Sequence, residues 1–128
     1  IDYSAVMQAL KRVEGYKTHF LIPVKGDKLL PVSVDMILFF YIADGNIKAV
    51  MTDGKEYLFT QTLDELADSL DPALFFRINR QYLISRKAVQ DIDLWFNGRL
   101  AVNLIVPTLE RILVSKARVP DFKTWFTS

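Results

Sequence analysis

Catalysis in this chain would have to come from very few side chains. Its one histidine, His19, lies in a strand-like run with no metal-ligand or nucleophile motif beside it, and reads as an edge-strand side chain. Ser4, Ser33, Ser69, Ser85 and Ser115 stand in no nucleophile-elbow sequence. Asp91 and Asp93 fall on one face of a strand. Paired acids can cleave glycosides across a cleft, but two on one strand read as a solvated face. Neither a phosphate-cradling loop nor a dinucleotide glycine pattern is present. The absence of cysteine excludes disulfide scaffolds, thiolate zinc sites and Cys nucleophiles. These residues point to no enzyme, no cofactor and no metal. What remains is a polar interruption, Arg77, Asn79, Arg80 and Gln81, between the apolar pairs Phe75-Phe76 and Tyr82-Leu83. Arg77 sits among apolar neighbours and reads as a structural ion-pair partner. Arg80, in the polar part of the stretch, is the side chain best placed to meet something outside the chain.

The elements that must hold this stretch are mostly strands. Residues 2–14 form the exception: Val6, Leu10 and Val13 recur at helical spacing, Asp2 or Ser4 can cap the start, and Gly15 ends the run. From Thr18 the pattern turns to short runs separated by turn residues. His19 to Val24 and Leu29 to Val32 flank Lys25-Gly26-Asp27-Lys28, a hairpin whose Pro23 and Pro31 require edge positions because proline cannot donate to a ladder. Residues 36–42 are continuously apolar and aromatic, a central strand. Asp44-Gly45 and Asp53-Gly54 then separate strands over 47–52 and 56–60. Thr62-Leu63-Asp64-Glu65 is a capping box opening a helix of about two turns, which Asp71-Pro72 ends. Asn97-Gly98 predicts a type I′ hairpin between strands over 89–96 and 99–106. A last strand is expected over 110–114. Ser115 then caps a terminal helical segment that Pro120 breaks, with Phe122, Trp125 and Phe126 packing back on the sheet.

A chain of 128 residues, 51% hydrophobic, is one domain with enough apolar mass for a core. The expected division is a linker and N-terminal helix over residues 1–15, then a single domain over 16–128. No run is long enough to span a bilayer. Together with the missing cysteines this fits a cytoplasmic protein. The chain begins with Ile1 and not Met, and reads as a fragment of a longer protein. The net charge is +1, but it is unevenly spread. Residues 1–70 carry seven Lys and Arg against ten acids, and residues 71–128 carry nine against five. A basic second half can be a footprint for phosphates, although a charge fluctuation of this size is ordinary.

The stretch Phe75-Phe76-Arg77-Ile78-Asn79-Arg80-Gln81-Tyr82-Leu83-Ile84-Ser85-Arg86 resembles the signature of the LytTR family of DNA-binding domains. Its context is similar in order and spacing. Val34-Asp35-Met36-Ile37-Leu38-Phe39-Phe40 looks like the family's strand before its first loop, Thr52-Asp53-Gly54-Lys55 like its next turn, and Thr62-Leu63-Asp64-Glu65-Leu66 like its short helix. Asn97-Gly98-Arg99-Leu100 and Ile112-Leu113-Val114-Ser115-Lys116 look like its final hairpin and ending. The resemblance covers residues 18–126. Four positions depart from the usual pattern: Asn79 stands for His, Gln81 for Ser, Ser85 for Asn and Lys116 for Arg. These changes keep hydrogen-bonding ability and alter what can be read.

The resemblance implies a mainly β fold of small antiparallel sheets, with one short helix in the middle and short terminal helices. It implies loops, not a recognition helix, in successive major grooves. Carried over by position, Asn46, Arg80 and Lys116 are the expected base contacts. Asn can pair two-pronged with adenine, and Arg or Lys can bond guanine O6 and N7. Asn79, Gln81, Ser115 and Arg118 are the expected phosphate contacts. Local sequence alone reads Asn46 equally well as a turn residue and Ser115 as a helix cap. The implied partners are double-stranded promoter DNA with repeated half-sites, an upstream receiver domain outside this chain, and a second copy on paired sites. The implied role is the output domain of a two-component response regulator. The competing reading is a β-rich protein-interaction or sensor module without DNA binding, which the four departures motivate.

Overall fold

The continuously apolar run becomes the middle of the molecule, for a reason visible on both of its sides. In a computed structural model that describes residues 15–128 together with Tyr3 and Val6, strand β3 (Ile37–Ala43) lies at the centre of a five-stranded antiparallel sheet. Its neighbours are β4 (Asn46–Met51) then β5 (Glu56–Phe59) on one side, and β7 (Tyr82–Ser85) then β6 (Phe75–Arg77) on the other. A strand covered on both faces has no reason to alternate polar and apolar residues. One face packs Ile37, Phe40 and Leu83 against the β1 (His19–Val24) and β2 (Lys28–Ser33) hairpin and helix α1 (Leu63–Ser69). The other packs Leu38, Phe39 and Ile84 against a three-stranded sheet of β8 (Val89–Leu94), β9 (Leu100–Leu104) and β10 (Ile112–Leu113), with β9 in the middle, and against helix α2 (Val119–Thr127). The fold is mainly β, in small antiparallel sheets, with one helix in mid-chain and one at the C-terminal end. Of the helix expected over residues 2–14 only Tyr3 and Val6 are described, both helical and exposed; the rest lies outside the described residues.

The turns close as their residue types require. Asp44 and Gly45 both have positive φ (52° and 77°), and Ala43 pairs directly with Asn46 across them. Asn97 and Gly98 do the same (60° and 72°), with the Arg99 amide donating to the Phe96 carbonyl at 3.2 Å. Both are type I′ geometries, which match strand twist and favour Asp, Asn and Gly. Asp91 and Asp93 are exposed, and the Asn103 amide bridges their carboxylates at 2.6 and 2.9 Å, a solvated strand face.

Two details differ from the expectation. The last strand is only Ile112–Leu113, because Pro107 to Arg111 lies largely in solvent and only these two residues pair with β9. Pro120 does not break the terminal helix: it sits in the first turn of α2, where a missing N–H costs nothing. The helix then buries Phe122 and Trp125, and the Trp125 indole donates to the Pro72 carbonyl at 2.8 Å.

The capping box of α1 is complete: the Thr62 hydroxyl accepts from the Glu65 amide at 3.1 Å, and the Thr62 amide donates back to the Glu65 carboxylate at 3.3 Å. Thr62→Ala is expected to lower stability by about 1 kcal/mol, and Thr62→Ser to retain most of it, in urea titrations.

Candidate nucleic-acid interface

Three segments far apart in sequence meet at one end of the central sheet, and backbone hydrogen bonds join them. The β3–β4 turn is tied to the loop over residues 78–81 by the Ile42 amide, which donates to the Gln81 carbonyl at 3.0 Å. That loop is tied in turn to the chain leaving β10, where the Ser115 amide donates to the Ile78 carbonyl at 2.9 Å. The expected site residues lie on these segments: Asn46 beside the turn, Asn79, Arg80 and Gln81 in the loop, and Ser115, Lys116 and Arg118 at the 3-10 turn before α2.

Their side chains divide into two groups. Asn46, Arg80, Gln81 and Lys116 are exposed. Among the described residues, Arg80, Gln81 and Lys116 have no side-chain hydrogen bond or ion pair, and Asn46 has only a 3.5 Å contact to the Asp44 carbonyl. Asn79, Ser115 and Arg118 are half-buried. Asn79 Oδ1 accepts from the Gln81 and Tyr82 amides at 2.8 and 2.9 Å, and its Nδ2 donates to the Leu113 carbonyl at 2.8 Å. An Asn that captures amides two and three residues on builds a turn from its own side chain. Arg118 Nη1 donates to the Arg77 carbonyl at 2.8 Å, and Ser115 opens the 3-10 turn without a side-chain cap bond.

Arg77 completes the loop from beneath. Its Nε donates to the Asn79 carbonyl at 2.8 Å, Nη2 to the Arg80 carbonyl at 2.7 Å, and Nη1 to the Asp64 carboxylate at 2.6 Å. Asp64 is 93% exposed, so the ion pair itself contributes little. The two carbonyl bonds matter more, since they fix the backbone on either side of Arg80. Behind the loop, Tyr41 and Tyr82 stack with centroids 5.9 Å apart, and the Tyr41 hydroxyl donates to Glu56 at 2.8 Å. Burial, reinforced by that carboxylate, pushes the Tyr41 phenol up to about 12, so it stays a neutral donor at physiological pH.

The sequence reads Arg77 as a structural ion-pair partner, which its bond to Asp64 bears out, but it gives no sign of the two carbonyl bonds under this loop or of the tyrosine pair. The Asn79 turn did leave a signal, an Asn opening a short polar connection between apolar runs. The partners of Arg118 and of the Asn79 amide nitrogen left none. Chemically, the result is a rigid loop holding an unpaired guanidinium outward, flanked by an exposed ammonium and two exposed carboxamides. Such groups suit phosphate oxygens and base edges.

Comparison with known proteins bears on the family and the fold. The family described as LytTr DNA-binding domain matches residues 27–127. The chain is 28% identical over 103 residues to a sensory transduction protein LytT of Enterococcus faecalis, covering 80% of this chain and 41% of that protein. It is 31% identical over 77 residues to a transcriptional regulatory protein LytR of Staphylococcus aureus, covering 60% of this chain and 30% of that protein. The chain thus spans less than half the length of these curated relatives. A solved LytTr DNA-binding domain from Bacillus cereus superposes with a TM-score of 0.73 at 15% identity, covering 88% of this chain and 99% of that one, a likeness of fold. Among the described residues no helix is long and apolar enough to cross a membrane.

Proposed function

Since the chain belongs to the LytTr DNA-binding domain family, we propose that it reads duplex DNA sequence-specifically, as the output domain of a two-component response regulator. The observation that carries this reading is Arg80, exposed and unpaired on a loop whose backbone Arg77 and Asn79 hold from within. Preorganisation of this kind lets a guanidinium meet a guanine edge without first ordering its loop. Arg80, Asn46 and Lys116 contact bases. Gln81, Ser115 and Arg118 contact phosphates, which set register without carrying sequence. Asn79 acts by shaping the loop, because both ends of its carboxamide are already engaged. Promoter DNA with repeated half-sites is the partner. An upstream receiver domain would raise occupancy of paired sites by bringing two copies together.

The test is selection from a randomised duplex pool, followed by salt titration on the recovered motif. A short motif should emerge, its affinity should fall steeply with salt, and Arg80→Ala should weaken it roughly ten- to hundredfold with the melting temperature unchanged. Salt-sensitive binding without a motif would leave a backbone binder. No binding even at low salt would overturn the reading in favour of a protein-interaction module.

A further inference from the structure

The row of backbone hydrogen bonds that joins the three reading segments does not stop at Ser115. One residue earlier, the Val114 amide donates to the Leu100 carbonyl at 2.9 Å, and Leu100 pairs with Leu94 across β8 and β9. The type I′ turn between those strands therefore lies at the same end of the molecule, next in line after Ser115 and Lys116. Four segments share this end: the β3–β4 turn, the loop over residues 78–81, the 3-10 turn before α2, and the β8–β9 turn. The first three carry the DNA contacts proposed above, and the fourth carries none of them.

The fourth segment is equipped for the same partner. Asn97, Gly98 and Arg99 are exposed, and Phe96 is 73% exposed. Among the described residues the Arg99 side chain has no hydrogen bond or ion pair. The acids of the same hairpin, Asp91 and Asp93, are already bridged by the Asn103 amide. The turn is also stiff. The Trp95 amide closes it by donating to the Arg99 carbonyl at 2.9 Å, and Arg111 lies 4.1 Å over the Trp95 ring at its base. A guanidinium carried on such a turn meets a phosphate without first ordering its backbone, and its fork of donors suits phosphate oxygens. Exposed cations occur elsewhere on the surface; the place of Arg99 in this row distinguishes it.

Resting on the DNA-binding reading above, we propose that the β8–β9 turn is a fourth DNA contact: Arg99 donates to a backbone phosphate of the duplex flanking the motif, on the side that Lys116 reads, and Phe96 lies against the adjoining deoxyribose. Such a contact adds affinity and register without base preference. Neighbouring strands are about 4.8 Å apart, so a turn centred between β8 and β9 lies roughly 7 Å beyond the strand that leads to Ser115, or about two base steps of 3.4 Å. The duplex must therefore extend past the Lys116 contact for Arg99 to act.

The test compares the full chain with Arg99→Ala on duplexes bearing the selected motif, either with long flanks or trimmed to the motif at one end. The Lys116 end is the one whose base preference relaxes in Lys116→Ala. On the long duplex Arg99→Ala should weaken binding roughly tenfold at about 0.1 M salt and lower the salt slope by about one, the signature of one lost phosphate contact. The melting temperature and the selected motif should not change, because the side chain is exposed and reads no base. Arg99→Lys should keep the slope. Trimming the Lys116 end should cost the native chain the same factor and cost Arg99→Ala nothing, whereas trimming the Asn46 end should leave their difference intact. An unchanged slope in Arg99→Ala overturns the proposal. So does an equal loss on the duplex trimmed at the Lys116 end, which would place the effect in the neighbouring loops, and a changed motif, which would make Arg99 a base reader. If the chain binds duplex without any motif, the slope comparison on random-sequence DNA still tests Arg99, so failure of base reading and failure of the fourth contact are distinguishable. No binding to any duplex at low salt overturns both.

Discussion

Phe40→Ala is expected to destabilise the domain by about 3–5 kcal/mol, the range for removing a large aromatic from a closed core. Phe40 is fully buried at the middle of the central strand, with ring centroids 5.1 Å from Phe59, 6.1 Å from Phe75 and 6.4 Å from Phe20. Those rings come from β5, β6 and β1, so one truncation loosens the two-stranded hairpin and the five-stranded sheet together. Domains of this size have about 5–15 kcal/mol in all, so the loss is a large fraction and should lower the melting temperature by on the order of 10 °C or more. Fluorescence of buried Trp125 during urea unfolding would follow it. Phe96→Ala is the matched control: Phe96 is 73% exposed at the β8–β9 turn and should change stability by less than about 1 kcal/mol. A loss below about 1 kcal/mol in Phe40→Ala would show that the aromatic cluster collapses around the gap, which its four interlocked rings argue against.

Such a cluster was legible in advance because strand cores and tight turns are local in sequence. The apolar run over 36–42, the Asp-Gly and Asn-Gly pairs and the Thr62–Glu65 capping box each carry their geometry in a few adjacent residues. The outer boundaries were less legible. β10 is two residues long because solvent, not composition, takes the residues before it, and Pro120 could equally mark the end of a helix or its first turn. The candidate site was legible in outline, since the polar interruption and the family signature pointed to the loop that carries the exposed Arg80. The outward Arg80 was legible too, but the inward turn of Asn79 was not. Asn79 and Arg80 are both polar neighbours in one loop, and they part only through contacts to Leu113, 34 residues away in sequence, and to Arg77 from below. Arg118 reaches the Arg77 carbonyl across 41 residues. No local pattern encodes partners at such separations; they exist only once the three-stranded sheet has docked on the central one.

That difference between Asn79 and Arg80 leads to the second large effect. Asn79→Ala is expected to weaken binding to the selected DNA motif by at least as much as Arg80→Ala, although the Asn79 carboxamide is spent on the loop itself and not on DNA. The substitution strips an acceptor from the Gln81 and Tyr82 amides and a donor from the Leu113 carbonyl. Half-buried groups left this way cost about 1–3 kcal/mol each at most, so a stability loss of about 2 kcal/mol is expected. The loop then has to be ordered on binding, at about 1–2 kcal/mol for each residue fixed, which over residues 78–81 exceeds the value of one base contact. Asn79→Asp separates the two functions of the carboxamide: it keeps the acceptor for the two amides but sets a carboxylate against the Leu113 carbonyl, so it should restore the turn and still lose the tie to β10. The salt dependence decides between shaping and touching. A phosphate contact, once removed, weakens all sequences alike and lowers the salt slope by about one. A loop organiser leaves the non-specific slope in place and removes the preference for the motif, because the charges still reach the backbone while Arg80 no longer arrives at its base edge in a fixed pose. A reduced slope with specificity intact in Asn79→Ala would return Asn79 to the phosphate-contacting set and remove preorganisation as the basis of base reading in this loop.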